Sequence, residues 1–504
     1  MKICLVRPPS IINPVAYIGS LTPPIGLAYI AASLRKAGHA VVIVDAIGEN
    51  PTNSVMISEN LILRGLSFEE IIKRIPKDSE LIGISCMFSS EWVQIRKLIN
   101  LIGAAFPEKL IIGGGEHFTA APELSMEHCP CLKICVLGEG DETIVELANV
   151  LQNKKEITQV KGLVIQQNGQ FIRTGKRARI IHIDDISTPA WDLVPMHNYL
   201  DNLLSYGVNR GRSMPMLASR GCPYQCTFCS NPLMWTTRWL ARNPSKVVDE
   251  IEMYIQKYNI SNVDFYDLTA IVKRDWIIEF CQELLRRNIK ITWQLPSGTR
   301  SEAIDYEVAQ WLYKAGCRNL NYAPESGSNI TLKNIKKRVK LPRLTKSLRG
   351  SVKAGLNVKI NIIIGLPDEK HLDIWKTLWF LIKMSYFGAH DVSIGVFSPY
   401  PGSELYDRLV KEKKISHSDD YFEKLAYVDI TETVSYTQYI SSEWLRCYNW
   451  IGFALFYGSN YFFRPFRFVR TIHNLFTNRH ESRGEMALSN LLNRFKIVKG
   501  VKQI

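Results

Sequence analysis

Three closely spaced cysteines offer the clearest chemistry in this chain. Cys222, Cys226 and Cys229 lie in the stretch SRGCPYQCTFCSNP with the spacing CxxxCxxC. Thiolates at these separations on one loop can bind three irons of a [4Fe–4S] cube and leave the fourth iron open for chemistry. The alternatives are three buried thiols or a structural zinc site, but such a site takes a fourth Cys or His and no histidine lies nearby. The spacing therefore predicts an iron–sulfur cluster.

The aromatic residue before the third cysteine extends this pattern. Phe228 completes the motif CxxxCxφC, and the segment closely resembles the radical S-adenosylmethionine (SAM) superfamily. The resemblance implies that the open iron binds SAM and that one electron cleaves it to methionine and a 5′-deoxyadenosyl radical.

Further segments resemble the SAM-binding positions of the same superfamily. By that resemblance Glu325 and Ser326, in the string ESGS, contact the ribose or amino group, Arg300 lies near the cofactor carboxylate, and Gly365 packs near the adenine. A surface salt bridge is the alternative for Arg300. Asn361 stands where the family has its first glycine, which weakens the predicted adenine contact.

The elements of the N-terminal part predict an open parallel sheet. Short apolar runs at 3–6, 40–44, 81–85 and 110–112 alternate with helical periodicity at 25–37 and 92–106. This alternation is typical of a Rossmann-like α/β domain, in which ligands bind beyond the carboxyl ends of the strands.

The loops at those ends resemble the cobalamin-binding domain that precedes the radical core in the B12-dependent radical SAM family. The resemblance assigns cofactor contacts to Pro24, Gly26, Ser85, Gly114, Gly115, His117, Gly138, Glu139 and Gly140. Ordinary glycine turns are the alternative for each loop taken singly. The loop 7–22 lacks the DxHxxG motif of domains that ligate cobalt from below, so the resemblance implies a cobalt without a histidine ligand and a residue of that loop packed beneath it.

A second alternation of strands and helices runs to about residue 409. Six predicted strands, beginning at 216, 263, 291, 319, 359 and 392, match a partial (β/α)₆ TIM-type radical SAM barrel whose active face lies at the strand carboxyl ends. We predict a cobalamin-binding domain at 1–153, a linker with a hairpin at 154–206, the radical SAM core at 207–418 and a helical C-terminal region at 419–504.

Bulk composition restricts the protein class. The chain has 504 residues, 46% hydrophobic and 22% charged, as expected for a globular protein of two or three domains. Eleven cysteines without a signal peptide favour a reducing, cytoplasmic compartment. A net charge of +14 does not by itself discriminate nucleic acid, anionic membrane or acidic substrate.

The C-terminal region and the remaining cysteines allow more than one interpretation. The aromatic stretch 448–463 is shorter than the ~20 residues of a bilayer span and contains two asparagines. With the arginines that follow, it predicts either a membrane-interface helix or a cap that roofs a hydrophobic substrate cavity. Cys129, Cys131 and Cys135 predict buried thiols, with a second cluster as the alternative. The simplest prediction for the other five is a core position: Cys4, Cys86, Cys281, Cys317 and Cys447.

Together these features predict a cobalamin-dependent radical SAM enzyme. By the resemblance it is a C-methyltransferase that acts on an unactivated carbon of a hydrophobic, lipid-like or other small-molecule substrate, with flavodoxin or ferredoxin as electron donor. Oxidation or cyclisation, as in the anaerobic magnesium-protoporphyrin ester cyclases, is the enzymatic alternative, and a non-catalytic corrinoid or Fe–S carrier is the other. A nucleic-acid substrate is disfavoured because the basic residues are scattered.

Overall fold

The computed structural model describes residues 1–12, 21–58, 61–425, 433–477, 479–489 and 492. Contacts divide the chain into two compact units. The first unit comprises Met1–Asn202, Arg220–Leu240 and Ser398–Tyr427, and the second comprises Leu203–Ser219, Ala241–Phe397 and Val428–Ile504. The segment with the three cysteines thus folds with the N-terminal unit.

The strands and helices of the described residues are numbered in chain order. The strands are β1 (Lys2–Arg7), β2 (Ser10–Ile12), β3 (Ala40–Asp45), β4 (Ser54–Ser58), β5 (Leu61–Arg64), β6 (Leu81–Ser85), β7 (Leu110–Gly114), β8 (Leu132–Val136), β9 (Leu163–Gln167), β10 (Gln170–Arg173), β11 (Ser213–Met216), β12 (Ser219–Arg220), β13 (Leu240–Ala241), β14 (Asn262–Phe265), β15 (Thr292–Thr299), β16 (Cys317–Glu325), β17 (Asn357–Ile364) and β18 (Asp391–Val396). The helices are α1 (Ile25–Lys36), α2 (Ala46–Glu49), α3 (Phe68–Arg74), α4 (Trp92–Ala105), α5 (Glu116–Ala120), α6 (Pro122–His128), α7 (Gly140–Gln152), α8 (Met196–Asp201), α9 (Asn231–Trp235), α10 (Pro244–Tyr258), α11 (Arg274–Arg286), α12 (Tyr306–Lys314), α13 (Asn329–Asn334), α14 (Leu341–Lys353), α15 (His371–Tyr386), α16 (Glu404–Lys411), α17 (Asp419–Lys424), α18 (Ser442–Phe463) and α19 (Pro465–Thr477).

A seven-stranded sheet forms the centre of the first unit. Its order is β10-β9-β8-β7-β6-β1-β3, and β8, β7, β6, β1 and β3 are parallel. Four consecutive residues of β1, 3–6, are buried, as expected for a parallel strand covered on both faces. The predicted Rossmann-like architecture is confirmed.

The hairpin of the predicted linker is part of this sheet. The hairpin expected at Asn168 and Gly169 is present, but β9 pairs antiparallel with β8 and so extends the sheet by two strands. Trp191 further along the same segment is buried in the core. The unpaired backbone N–H and C=O groups of an edge strand can bind an added strand. The periodicity of the sequence does not indicate which strand is added. A small antiparallel sheet, β2-β5-β4, was also not predicted.

Six parallel strands in chain order, β11-β14-β15-β16-β17-β18, form the sheet of the second unit. The predicted partial (β/α)₆ architecture is confirmed, although the first strand begins at Ser213 instead of Met216. In β17 buried residues alternate with half-buried ones, which is the period-2 pattern of a strand whose two faces differ.

The long helix α18 covers the edge strand β18. Asn449 Nδ2 donates to Ile394 O (2.8 Å) on that strand, and Asn460 Nδ2 donates to Ala389 O (2.6 Å). The helix approaches so closely that a Cβ on Gly452 would lie 2.5 Å from Ile394 Cδ1. The predicted helical C-terminal segment is confirmed for the described residues, whereas its roofing of a substrate cavity stays a prediction. Within the same residues, no helix is both long and apolar enough to cross a membrane.

Candidate active site

The three motif cysteines lie close together on the loop between β12 and α9. Cys222, Cys226 and Cys229 are half-buried thiols. Burial raises the pKa of Cys229 to about 12, and the neighbouring Cys226 and Cys222 contribute to that rise. Cys229 N donates to Cys226 O (3.1 Å), which turns the chain tightly between them.

Three cysteine thiolates are donors of the kind that a [4Fe–4S] cluster takes. No group of three His, Cys, Asp or Glu side chains in the described part of the chain is arranged to hold one metal ion. In a [4Fe–4S] cube each cysteine binds a different iron, so three neighbouring thiols need not converge on one point. The residues present therefore fit the cluster that the spacing predicts.

Hydrogen bonds join the cysteine loop to the loops predicted for cobalamin. Ser230, next to Cys229, donates to the carboxylate of Glu116. Burial raises the pKa of Glu116, and the hydrogen bond from Ser230 offsets part of that rise. Thr119 Oγ1 accepts from Gly138 N (2.9 Å) and lies 3.5 Å from Met234 Sδ, beyond the third cysteine. The cysteine loop and the predicted cobalamin loops thus form one packed region of the first unit.

A buried ion network fixes the start of the cysteine loop. Arg220 Nη1 donates to Glu139 (2.7 Å) and to Asp141 (2.9 Å), and its Nη2 donates to Asp141 (3.2 Å). Arg179 Nε donates to the other oxygen of Glu139 (2.9 Å), and the Arg220 guanidinium lies 4.8 Å from the ring centroid of Tyr29. Both carboxylate oxygens of Glu139, a predicted cofactor contact, are therefore bound by arginines. Arg179, Arg220 and Asp141 were not predicted from the sequence, where the one signal was an arginine two residues before the first cysteine.

The glycine loops leave room for a flat ligand at two positions. A Cβ on Gly26 or Gly114 would meet nothing within 4 Å, so the space beside these residues is open. Gly115 differs, because its φ is +114° and a Cβ there would lie 2.5 Å from Cys86 O. The open space fits the close backbone approach that a corrin ring requires. The remaining predicted contacts lie at the ends of nearby elements: Pro24 precedes α1, Ser85 ends β6, and Gly138 and Gly140 flank the start of α7.

His117 lies in the core of the first unit. It is 1% exposed, stacks on Trp92 at a centroid distance of 4.5 Å, and has Nδ1 2.9 Å from Ser89 Oγ. Burial, and to a lesser degree His128, lowers the pKa of His117 to about 3, so the ring is neutral. Its predicted contact with the corrin edge stays a prediction that this placement does not support.

In the second unit the predicted SAM-binding residues end β16. Glu325 is 7% exposed and its Oε1 accepts from Lys337 Nζ (2.9 Å). Its φ of +69° is strained for a residue with a side chain, and such strain is common at functional sites. Ser326 Oγ lies 3.0 Å from Thr377 Oγ1 and accepts from Ser328 N (3.1 Å), which anchors the turn to α15.

Arg300 and Gly365 are held by carboxylates. Arg300 pairs through two nitrogens with Glu302 (3.1 and 2.7 Å), which is the salt bridge considered as its alternative role. Gly365 N donates to Glu369 Oε2 (2.7 Å), and burial raises the pKa of Glu369 to about 8. A Cβ on Gly365, with its φ of +81°, would lie 2.8 Å from Leu445 Cδ1, so only glycine fits there.

Asp267 holds the chain just before the cysteine loop. It is 1% exposed and accepts from Ser219 Oγ (2.5 Å) and Ala218 N (3.1 Å). Burial raises the pKa of Asp267 to about 6. Asp267 therefore positions the backbone and side chain of the segment that leads into the cysteine loop.

The other cysteines mostly follow expectation. Cys4, Cys86, Cys129, Cys135, Cys281 and Cys317 are buried, and Cys131 is half-buried. The predicted core position of Cys447 is wrong, because it lies on the exposed side of α18.

Two domain families match the chain in the order that the architecture requires. Residues 14–148 match the B12 binding domain and residues 216–381 match the radical SAM superfamily. The predicted cobalamin and SAM chemistry is thereby confirmed at the level of the domain families.

Individual relatives cover most of the chain. An uncharacterized methyltransferase, PH0819, of Pyrococcus horikoshii is 30% identical over 81% of this chain and 83% of that protein. The anaerobic magnesium-protoporphyrin IX monomethyl ester cyclase of Cereibacter sphaeroides is 24% identical over 81% of this chain but only 63% of its own length. The fold is that of the radical SAM methyltransferase TsrM from Kitasatospora setae, solved with cobalamin and a [4Fe–4S] cluster (TM-score 0.63, 16% identity, 82% of this chain and 78% of that chain). The chain belongs to the cobalamin-dependent radical SAM methyltransferase family.

Proposed function

We propose that this enzyme methylates an unactivated carbon of a hydrophobic small molecule, using a [4Fe–4S] cluster on Cys222, Cys226 and Cys229 together with SAM and cobalamin. The observation that carries the proposal is the packing of the cysteine loop on the Glu116 and Gly138 loops within one compact unit. When bound, the cluster and SAM supply a radical that removes a hydrogen atom, and cobalamin supplies a methyl group.

The chain's own residues orient these groups. Glu139 and Asp141 hold Arg220, and so fix the backbone that presents the first cysteine. Asp267 fixes Ala218 and Ser219, the two residues before Arg220, through Ala218 N and Ser219 Oγ. Buried, paired side chains are suited to such positioning because they leave little freedom at the reacting centre.

Cyclisation or oxidation is the second candidate function. It is supported by the relative from C. sphaeroides, whose name states a cyclase of a magnesium-protoporphyrin ester. The relative from P. horikoshii is named a methyltransferase. The match includes 83% of that protein but 63% of the cyclase, which favours methyl transfer. A carrier without turnover would have no need of the strained Glu325 backbone at the end of β16.

Partners and location are part of the same proposal. A flavodoxin or ferredoxin is the electron donor, nucleic acid is not the substrate, and the protein is cytoplasmic with peripheral contact to a membrane. The eleven cysteines support a reducing compartment.

Anaerobic reconstitution with iron, sulfide and hydroxocobalamin tests the function. After addition of SAM and reductant, 5′-deoxyadenosine and S-adenosylhomocysteine are measured. Both products support methyl transfer, deoxyadenosine alone supports cyclisation or oxidation, and neither product with both cofactors bound supports the carrier. Cys226→Ser should abolish deoxyadenosine formation, whereas the control Cys447→Ser, at an exposed thiol outside the site, should retain it.

A further inference from the structure

Helix α19 has its apolar side outward. Its buried residues are polar: Thr471 Oγ1 donates to Glu485 (3.0 Å), and Asn474 Nδ2 donates to the same carboxylate (3.2 Å). Its exposed residues include Phe466 (88% exposed) and Phe476 (87%). An ordinary surface helix of a globular protein shows the opposite arrangement. Within the described residues these two phenylalanines stay largely exposed, which makes this side of α19 a candidate surface for an apolar partner.

Exposed aromatic residues also lie on α18, which packs beside α19, and on α15, which packs beside α18. These two helices run in parallel, because ring contacts join their starts at His371 and Trp444 (5.8 Å) and their ends at Tyr386 and Phe463 (5.1 Å). Tyr461 and Phe468 link α18 to α19 at 5.2 Å. The six exposed aromatic residues that define the aromatic face are Trp375, Trp379, Trp450, Phe462, Phe466 and Phe476. Large exposed apolar surfaces of this kind mark interaction sites.

The helices that carry the aromatic face have more basic than acidic residues. Residues 442–477, which span α18 and α19, contain four arginines and one glutamate. On α15 the exposed Lys376 and Lys383 alternate with the tryptophans, and Lys383 Nζ lies 5.9 Å from the Trp379 ring centroid. Tryptophan and phenylalanine beside lysines with long apolar stems are typical of the lipid headgroup region. A protein partner would not require this combination, while an anionic lipid surface matches both parts of it.

We propose that the aromatic face docks on an anionic phospholipid membrane surface. At such a surface the enzyme would meet a lipid-like substrate. This benefit of docking rests on the proposed function, whereas the docking does not. The binding itself follows from the aromatic residues and the charge.

Sedimentation of the full-length reconstituted enzyme with vesicles tests the proposal. We expect binding to phosphatidylcholine–phosphatidylglycerol vesicles, weaker binding to phosphatidylcholine alone, and loss of the difference at high salt. Phe466→Ser/Phe476→Ser should weaken binding to the mixed vesicles at least tenfold. The control Leu285→Ser/Ile330→Ser, at positions 42% and 57% exposed on α11 and α13, should not change it.

Three results would overturn the proposal. The first is that the unchanged enzyme does not bind mixed vesicles, and the second is that both double variants lose vesicle binding equally. The third is that Phe466→Ser/Phe476→Ser dissociates a dimer, measured by light scattering, while vesicle binding stays intact. Deoxyadenosine formation without added substrate is measured in parallel. Vesicle binding without radical formation would refute the proposed function and support the docking surface. Radical formation without vesicle binding would support the proposed function and refute the docking surface.

Discussion

Asp141→Asn is expected to destabilise the first unit far more than the loss of one surface charge would. Asp141 accepts two hydrogen bonds from Arg220 (2.9 and 3.2 Å), and both side chains are 7% exposed. Breaking a buried ion pair by removing one partner costs about 3–5 kcal/mol. Glu139 still pairs with Arg220 in this variant, so we expect the lower value, about 3 kcal/mol.

The matched control is a pair of the same geometry at the surface. Arg173 binds Glu123 through two nitrogens (2.6 and 2.7 Å), with side chains 58% and 31% exposed. Exposed pairs contribute about 0–1 kcal/mol. Glu123→Gln therefore isolates the effect of burial from that of bidentate geometry.

Thermal unfolding followed by tryptophan fluorescence measures the difference, since Trp235 lies beside Arg220 (5.9 Å). At about 2–4 °C per kcal/mol, Asp141→Asn should lower the transition of the first unit by about 6–12 °C and Glu123→Gln by less than about 4 °C. Added salt should reduce only the surface effect. Because Arg220 lies two residues before Cys222, Asp141→Asn should also lower the iron retained after reconstitution.

A rescue variant completes the test. Arg220→Met/Asp141→Leu replaces the pair by apolar side chains and leaves Glu139 paired with Arg179, so the buried charges balance again and much of the stability lost in Asp141→Asn should be recovered. Equal melting shifts for Asp141→Asn and Glu123→Gln would refute the role of this network.

Three further outcomes follow from burial and close packing. Burial raises the pKa of Glu369 from 4.5 to about 8, so the folded protein retains a proton that the unfolded chain releases. The free energy of unfolding should therefore fall by up to about 3–5 kcal/mol as the pH rises from about 5 to 8. In Glu369→Gln, the free energy of unfolding measured by urea titration should depend much less on pH across that range. His117→Gln should leave the visible spectrum of bound cobalamin unchanged, because the ring is 1% exposed, and a shifted spectrum would show that it reaches the cobalt. Gly452→Val should cost about 1–3 kcal/mol, since a Cβ there lies 2.5 Å from Ile394 Cδ1, whereas Gly458→Ala on the same helix, with nothing within 4 Å, should stabilise by about 0.5–1 kcal/mol; similar effects would contradict the close approach of α18.

The sequence by itself determined the features that depend on local spacing. The CxxxCxxC motif limits its own ligand geometry, because a few residues of chain cannot separate the thiols widely. Alternation of apolar runs with helical periodicity determined both α/β units, since each period directly gives the buried side of an element. The boundaries of α4, β17 and β18 differ from the predicted ones by one or two residues.

The tertiary structure alone decided which polar side chains are free for a ligand. Glu139 is bound by an arginine 81 residues away, so its carboxylate positions the cysteine loop. His117 stacks on Trp92 in the core. Phe466 is exposed, although α19 has enough apolar residues to form a buried side. These outcomes depend on pairing and burial between distant segments. Spacing along the chain does not predict these pairs, because a buried charge needs a partner that is close in the fold and can be distant in the sequence.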